Sequence, residues 1–430
     1  MSYLKTYKLS ELYELGSGIS TQPSQAGHGF PFCSFSTIFN NPILPDELPD
    51  LMDTSEDERE TYSIKEGDVL LTRTSETLDE LAMTSVAIKD YPNATFSGFA
   101  KRMRPISKEA YPKFMAFFFR SPYFRQIINN KAVMTLRASF NEMIFNDISF
   151  DLPPIKDQIK AGDFLYNIEC KIRNNNSLAS DFKAMADLIF DYWFLQYDFK
   201  LGDMPYKSSG GKMVWSDKLK DEIPEKWEVV RIKDLISDDI GGDWGKETKT
   251  GNYTKRVKCI KGTDIPSIVD GIDCNLEDRY ILEKNSDKIL KPGDYVIEVS
   301  GTPGRSTYIN ETMISRFDFP LISSNFCCAF SMKNPKYLYW FHLLWQRIYR
   351  KGITKDYSGK TTIANLLFDN LAESVYVALP PEELIDKFNI LVEPFFKDIQ
   401  NLYAENEAMD NTRHYLIDFF MTGQVKVKND

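Results

Sequence analysis

Leu152-Pro153-Pro154-Ile155 and Leu379-Pro380-Pro381-Glu382 stand 227 positions apart, and each opens a long segment of apolar residues at helical spacing. The first segment closes in Ile189-Phe190-Asp191-Tyr192-Trp193-Phe194, the second in Leu416-Ile417-Asp418-Phe419-Phe420-Met421. Pro153 to Asp191 and Pro380 to Asp418 are the same distance, 38 residues, with no gap. An equal ungapped spacing of this kind marks an internal repeat. Outward from it, Ile64-Lys65-Glu66-Gly67-Asp68-Val69-Leu70-Leu71 answers Leu290-Lys291-Pro292-Gly293-Asp294-Tyr295-Val296-Ile297. Tyr111-Pro112-Lys113-Phe114 answers Asn334-Pro335-Lys336-Tyr337, and Tyr7–Leu12 resembles Val230–Leu235.

The order is therefore globule (1–152), long helix (153–200), linker (201–222), globule (223–379), long helix (380–423) and a short tail (424–430). The linker carries Gly202, Ser208-Ser209 and Gly210-Gly211 without apolar period and reads as loop. In the first helix Leu165, Ile168, Ile172, Asn175, Phe182, Ile189 and Trp193 make one stripe. Val392, Phe395, Ile399, Leu402, Met409, Leu416 and Phe420 make another in the second. Stripes stepping by three and four give a helix with one buried face, close to a coiled-coil seam, and their equal lengths suit two helices packed on each other. At 1.5 Å per residue each would be roughly 55–60 Å long. Asn175 in such a seam fixes register at some cost in stability. Pro154 and Pro381 suit the first helical turn, where a missing N–H costs nothing. The globules read as mixed: short strands after the two Gly-Asp turns, helices rich in aromatics at 113–128 and 336–350, and long loops at 16–31, 40–50, 241–252 and 300–310. The fold class is α+β, with two mixed α/β globules and two long helices forming an antiparallel coiled coil.

The chain has 430 residues, 43% hydrophobic and 27% charged, which excludes wholesale disorder. Its net charge of −10 argues, as a total, against a polyanionic partner. No apolar run is long enough to span a membrane, and Met1–Ser10 lacks the apolar core of a leader. Six cysteines without C-x-x-C spacing and three scattered histidines give neither a disulfide framework nor a zinc site, so a reducing cytoplasm is expected.

Catalytic motifs fail on inspection. Ser358-Gly359-Lys360-Thr361-Thr362 mimics the end of a phosphate loop, but Thr354 stands where its first Gly is required. Asp151-Leu152-Pro153-Pro154-Ile155 lacks the aromatic that would stack on a substrate base, and no Gly-x-Gly turn precedes it. Gly301-Thr302-Pro303-Gly304 is too short for a dinucleotide fingerprint. No catalytic residue, metal ligand or cofactor is expected. What remains is segregated charge. Phe99–Phe140 holds nine bases and one acid, Lys333–Thr361 seven bases and one acid, and Lys249–Lys261 five bases and no acid. Asp46–Glu80 holds thirteen acids and three bases. Basic residues interleaved with polar donors recur at matching places, Arg137-Ala138-Ser139-Phe140-Asn141 and Ser358–Thr362, and these are the residue types that hold phosphates and read grooves.

On these features the sequence resembles a specificity subunit of a Type I restriction-modification system. The likeness is carried by the paired Leu-Pro-Pro openings with their helices, by Gly67-Asp68 and Gly293-Asp294, and by Ser300-Gly301-Thr302-Pro303-Gly304-Arg305. Ile223-Pro224-Glu225-Lys226-Trp227 and Asp191-Tyr192-Trp193-Phe194 add to it. It departs at Arg73-Thr74-Ser75-Glu76-Thr77, which replaces the Ser-Gly-Thr-x-Gly-Arg loop in the first half. The resemblance implies two target recognition domains, each reading half of a bipartite double-stranded DNA site. It also implies helices that set the spacer and dock two methyltransferase subunits, with nuclease subunits joining that core. Under it, Arg73, Thr74, Ser75, Lys101, Arg102, Arg104, Arg137, Ser139 and Asn141 are DNA-contact candidates in the first globule. Ser300, Thr302, Arg305, Ser324, Asn325, Lys355, Ser358, Lys360 and Thr361 are those in the second. Two other readings stay open: a self-sufficient DNA methyltransferase or nuclease, and a coiled-coil scaffold that binds only proteins.

Overall fold

Each Leu-Pro-Pro does two jobs. Its Leu ends a strand, because proline has no N–H to extend the ladder, and its prolines enter a helix. Strand Ser149–Leu152 leads into helix Ile155–Phe190, and strand Tyr376–Leu379 into helix Glu382–Met421. Asp157 in one first turn and Glu382 and Glu383 in the other meet the positive helix ends. The first helix finishes in a wider turn at Asp191–Leu195, the second before Gly423, whose φ of 69° needs glycine. The structure is a computed structural model describing residues 3–77, 80–131, 138–201, 204–237, 239–271, 274–359 and 364–425.

The chain forms two compact units, Met1–Ile172 with Glu407–Asp430, and Arg173–Asn406. Both follow one plan. In the first unit Lys5–Lys8 pairs antiparallel with Ser149–Leu152, so the start and end of the globule close on each other. In the second, Glu228–Arg231 closes on Tyr376–Leu379 in the same way. A helical turn follows each opening strand, Leu9–Leu12 and Ile232–Leu235.

The antiparallel sheet of the first unit runs Tyr13–Ser17, Ala100–Pro105, Val69–Thr72, Thr84–Val86. That of the second runs Ser306–Tyr308, Asp294–Glu298, Cys327–Ser331. The Gly-Asp turns that lead into Val69 and Tyr295 are alike in detail. Gly67 and Gly293 have φ of 87° and 99°, and buried Asp68 and Asp294 accept from the backbone N–H of Lys65 and Lys291 at 2.8 and 2.7 Å. A second sheet also repeats: Ala26–Cys33 lies between antiparallel Asp50–Met52 and parallel Thr95–Phe96. Its counterpart, Tyr253–Ile260, lies between antiparallel Glu277–Leu282 and parallel Leu321–Ser323.

Aromatic helices seal each core. Phe118 of helix Pro112–Phe118 meets Phe124 at 5.7 Å and Phe150 at 5.0 Å. Phe341 and Trp345 of helix Leu338–Arg350 are buried against Tyr295, Phe330 and Phe368, and Trp340 against Phe194 and Tyr337. Each such ring contributes roughly 1.5–3 kcal/mol by leaving water.

Segments of both long helices pair antiparallel inside each unit. In the first, Phe164 meets Phe420 edge-on at 5.9 Å and Glu169 pairs with Arg413 at 2.6 Å. In the second, Phe182 stacks on Phe395 at 5.3 Å and Phe194 meets Phe388 at 4.8 Å. There buried Asn175 donates to Asn406 Oδ1 at 2.9 Å, and Asn406 donates to Asn176 at 2.8 Å. An amide pair satisfies its polar groups only in one alignment, so it pins register. Of the expected seam, Leu165, Asn175, Trp193, Val392, Ile399 and Phe420 are buried. Ile168, Ile172, Phe182, Ile189, Phe395, Leu402, Met409 and Leu416 are half-buried, and the interior also takes Ala179, Ala186, Phe190, Phe388 and Tyr403.

Three loop expectations need correction, the first being 300–310, which holds strand Ser306–Tyr308. Residues 16–31 hold the end of strand Tyr13–Ser17 and most of strand Ala26–Cys33, where Gly27 and Gly29 at φ near 90° sit in a ladder irregularity. The glycines that suggested loop permit a bulge. Within 201–222, Met213–Ser216 forms a hairpin with Asp221–Pro224. The adjoining Tyr206 stacks on Phe199, which stacks on Trp227, so the stretch is fastened to the core by aromatics that lie on both sides of the expected boundary.

Candidate nucleic-acid interface

In the first unit the site is built where strand Val69–Thr72 ends. The Arg73 N–H donates to the Phe99 carbonyl at 2.9 Å, and its own carbonyl accepts from the Phe140 N–H at 2.9 Å. Beyond it, Thr74 and Ser75 pair with Ser139 and Ala138. These bonds bring Arg73, Lys101, Ser139 and Asn141 around one open cleft of about 330 Å³, with Phe140, Glu142 and Met143 completing its wall. Lys101 donates to Ser17 Oγ at 2.8 Å. Asn141 caps helix Glu142–Asp147 by accepting the Ile144 N–H at 3.0 Å.

Strand alternation sends Arg102 and Arg104 the other way. Arg104 grips both oxygens of buried Asp68 at 2.8 and 2.7 Å, and that bond raises its pKa. Arg102 donates to the Ser63 carbonyl at 2.6 Å, and burial, then the charge of Arg104, lowers its pKa. Both guanidinia are engaged inside the globule. Arg137 lies outside the described residues.

In the second unit Ser300–Arg305 wraps around the buried carboxylate of Glu298. The Thr302 N–H donates to Oε1 at 2.9 Å and Arg305 Nε to Oε2 at 2.6 Å. Gly301 has φ of 109°, and a Cβ there would come within 2.7 Å of the same carboxylate. Arg305 and the Thr302 backbone thus shape the loop. Ser300 bridges Asn365 through both backbone and side chain, and Ser358 bridges Leu366. Lys355 and Asn325 are exposed, whereas Ser324 is buried. Lys360 and Thr361 lie outside the described residues.

The linear charge count overstated the basic surface. Arg120 is internal, its guanidinium donating to the carbonyls of Ile38, Phe39, Asn41 and Thr84. Arg347, nearly buried, pairs with Asp187 and Asp191. Lys255, Arg256, Lys258 and Lys261 all pair with acids of Glu277, Asp278 or Glu283. Asn365, Met143, Phe99 and Phe326 were missed. The last three are 77%, 71% and 58% exposed. Phe99 and Phe326 are 227 apart, the repeat offset itself, which was the signal that could have found them. Among the described residues no group of three or more His, Cys, Asp or Glu is placed to hold a metal ion, and no helix is long and apolar enough to cross a membrane.

The geometry defines a protein of two compact units built on one plan, the first with an open cleft lined by cationic and polar side chains. Residues 1–180 match the Type I restriction modification DNA specificity domain. The chain is 23% identical over 311 residues to the Type I restriction enzyme MjaIX specificity subunit of Methanocaldococcus jannaschii, covering 72% of this chain and 67% of that one. It is 25% identical over 303 residues to the MjaVIII specificity subunit of the same organism, covering 67% and 65%. The matches thus span about two thirds of these relatives' length. The crystal structure of the Type I restriction-modification S subunit from M. genitalium aligns over 99% of this chain and 97% of that one, with a TM-score of 0.59 at 11% identity, a likeness of fold. Residues 1–180 match this domain family, and the chain as a whole is similar to Type I restriction enzyme specificity subunits.

Proposed function

We propose that the chain reads double-stranded DNA for a Type I restriction-modification complex, each globule contacting one half of a bipartite site, in the cytoplasm where that DNA lies. The observation that carries this reading is the convergence of Arg73, Lys101, Ser139 and Asn141 on one open cleft. A guanidinium, an ammonium, a hydroxyl and an amide are the groups that grip phosphates and hydrogen-bond base edges. Several bases of the basic stretches are engaged internally, so the isolated chain should bind DNA weakly and rely on its partner subunits. Lys101→Ala in the assembled complex is expected to weaken binding at every sequence and to flatten the slope of log affinity against log salt by about one unit. Affinity measured across a salt series tests it; an unchanged slope removes Lys101 from phosphate contact and counts against the cleft.

The long helices are proposed to set the spacer and dock methyltransferase subunits. Support comes from a second apolar stripe on the first helix, facing solvent. Leu178, Met185, Leu188, Tyr192 and Leu195 step by seven, three, four and three, and all are 40% exposed or more. A solvent-facing stripe at seam spacing is an unfilled helix-packing surface. Leu188→Asp, at a side chain 69% exposed, should leave the fold intact and weaken association with the methyltransferase subunit at least tenfold. Co-purification together with the unfolding midpoint of the free chain checks both halves of that statement.

A further inference from the structure

A lone exposed phenylalanine needs no explanation, but the same one held by the same frame in two units does. Phe99 follows Ser97-Gly98, and Phe326 follows Ser324-Asn325. The Ser97 N–H donates to the Cys33 carbonyl at 3.0 Å, and the Ser324 N–H to that of Ile260 at 2.9 Å. The Phe99 N–H donates to Ser97 Oγ at 3.2 Å, and the Phe326 N–H to Ser324 Oγ at 3.3 Å. The Phe99 carbonyl accepts from the Arg73 N–H at 2.9 Å, and the Phe326 carbonyl from the Ser300 N–H at 3.2 Å. Cys33 and Ile260, Arg73 and Ser300, and the two phenylalanines are all 227 apart.

Each turn is also braced from outside. A Cβ on Gly18 would lie 2.1 Å from the Ser97 carbonyl oxygen, and one on Gly242 would lie 2.3 Å from that of Ser324. Backbone packs against backbone there, which only glycine permits. The ring is consequently presented on a turn fixed at its amide, its carbonyl and its back, while the ring itself stays in water. In the first unit Arg73 and Lys101 flank it in the sheet. An apolar ring on a rigid mount beside cations is what a side chain needs in order to enter a stack of bases while the phosphates are held.

We propose that Phe99 and Phe326 are DNA-inserting residues, one for each half-site, each ring seated against base faces at a locally unstacked step. This rests on the DNA-reading function proposed above. It assigns the pair a role distinct from the polar residues of the cleft, since an inserted ring contributes affinity without neutralising a phosphate.

The test uses the complex of the full chain with its methyltransferase subunits and a duplex carrying the site found by methylome sequencing, with 2-aminopurine placed in turn along each half. The wild-type complex is expected to raise the fluorescence at one step in each half-site. Phe99→Ala should abolish the rise in one half only, Phe326→Ala in the other. Each should weaken specific binding on the order of tenfold while leaving the salt slope and the unfolding midpoint unchanged. Wild-type binding to that duplex without any fluorescent step overturns the insertion and leaves the DNA-reading function standing. So does an unchanged affinity in both variants, or an affinity loss with the fluorescent step retained. Loss of methyltransferase association in the variants would overturn it in favour of a protein contact. Failure of the wild-type complex to bind any duplex specifically would instead overturn the function on which the proposal rests.

Discussion

Inserting one heptad into each long helix, matched across the Asn175–Asn406 pair, is expected to lengthen the spacer of the methylated site. Seven residues add about 10 Å of helix, equal to about three base pairs at 3.4 Å each. The insert must be matched. Added to one helix alone, it slips every pair beyond it, facing Asn175 with an apolar residue and leaving buried amides unpaired. A whole heptad keeps the seam on its own face, whereas two or five residues would rotate it away from its partner. Three base pairs also turn the duplex by roughly 100°, so the new site is expected to be methylated more weakly than the original. Methylome sequencing of a strain carrying the variant and its methyltransferase reads the outcome. The original spacing, returned at full occupancy, would sink the idea that the helices measure distance.

Arg120→Ala should be among the most damaging single changes in the first unit, on the order of 3–5 kcal/mol. Its guanidinium gathers the carbonyls of Ile38, Phe39 and Asn41 at 2.7, 2.9 and 3.1 Å, at the end of helix Phe35–Asn40, and that of Thr84 at 2.7 Å. Burial pushes its pKa down to about 10, still well above neutrality, so it remains charged against the negative helix end. Removing it leaves several part-buried carbonyls without their donor. Arg120→Lys should rescue little, because one ammonium cannot span carbonyls on two elements as a planar fork does. Denaturant unfolding of the three chains compares them. A loss below about 1 kcal/mol for the alanine variant would mean that water replaces the guanidinium and that this residue is surface after all.

The repeat, the two helices and the two Gly-Asp turns were legible because each is local or periodic. Proline entry, seam spacing and a positive-φ glycine leave marks in consecutive residues, as at Pro153, Asn175 and Gly67. The hairpin at Met213–Pro224 was not legible, because its fastening is the stack of Phe199, Tyr206 and Trp227, brought together from positions up to 28 apart. Nor could the sequence separate Lys101, which lines the cleft, from Arg102 and Arg104, which face Ser63 and Asp68. A run of bases in the sequence records charge and says nothing of partners. Arg120 and Arg347 counted toward a basic surface and turned out to be internal.

By itself the sequence determined that this is a duplicated chain with two long helices and no visible catalytic constellation, since repeat length and helical period survive in one dimension. Tertiary structure alone decided which cations line an open cleft, which asparagines face each other, and that Phe99 and Phe326 stand in water on matching mounts. Those properties depend on neighbours brought in from distant positions, whose carboxylates neutralise a charge or whose backbone fixes a turn. Spacing encodes the scaffold, and exposure, on which recognition depends, exists only once the chain has folded.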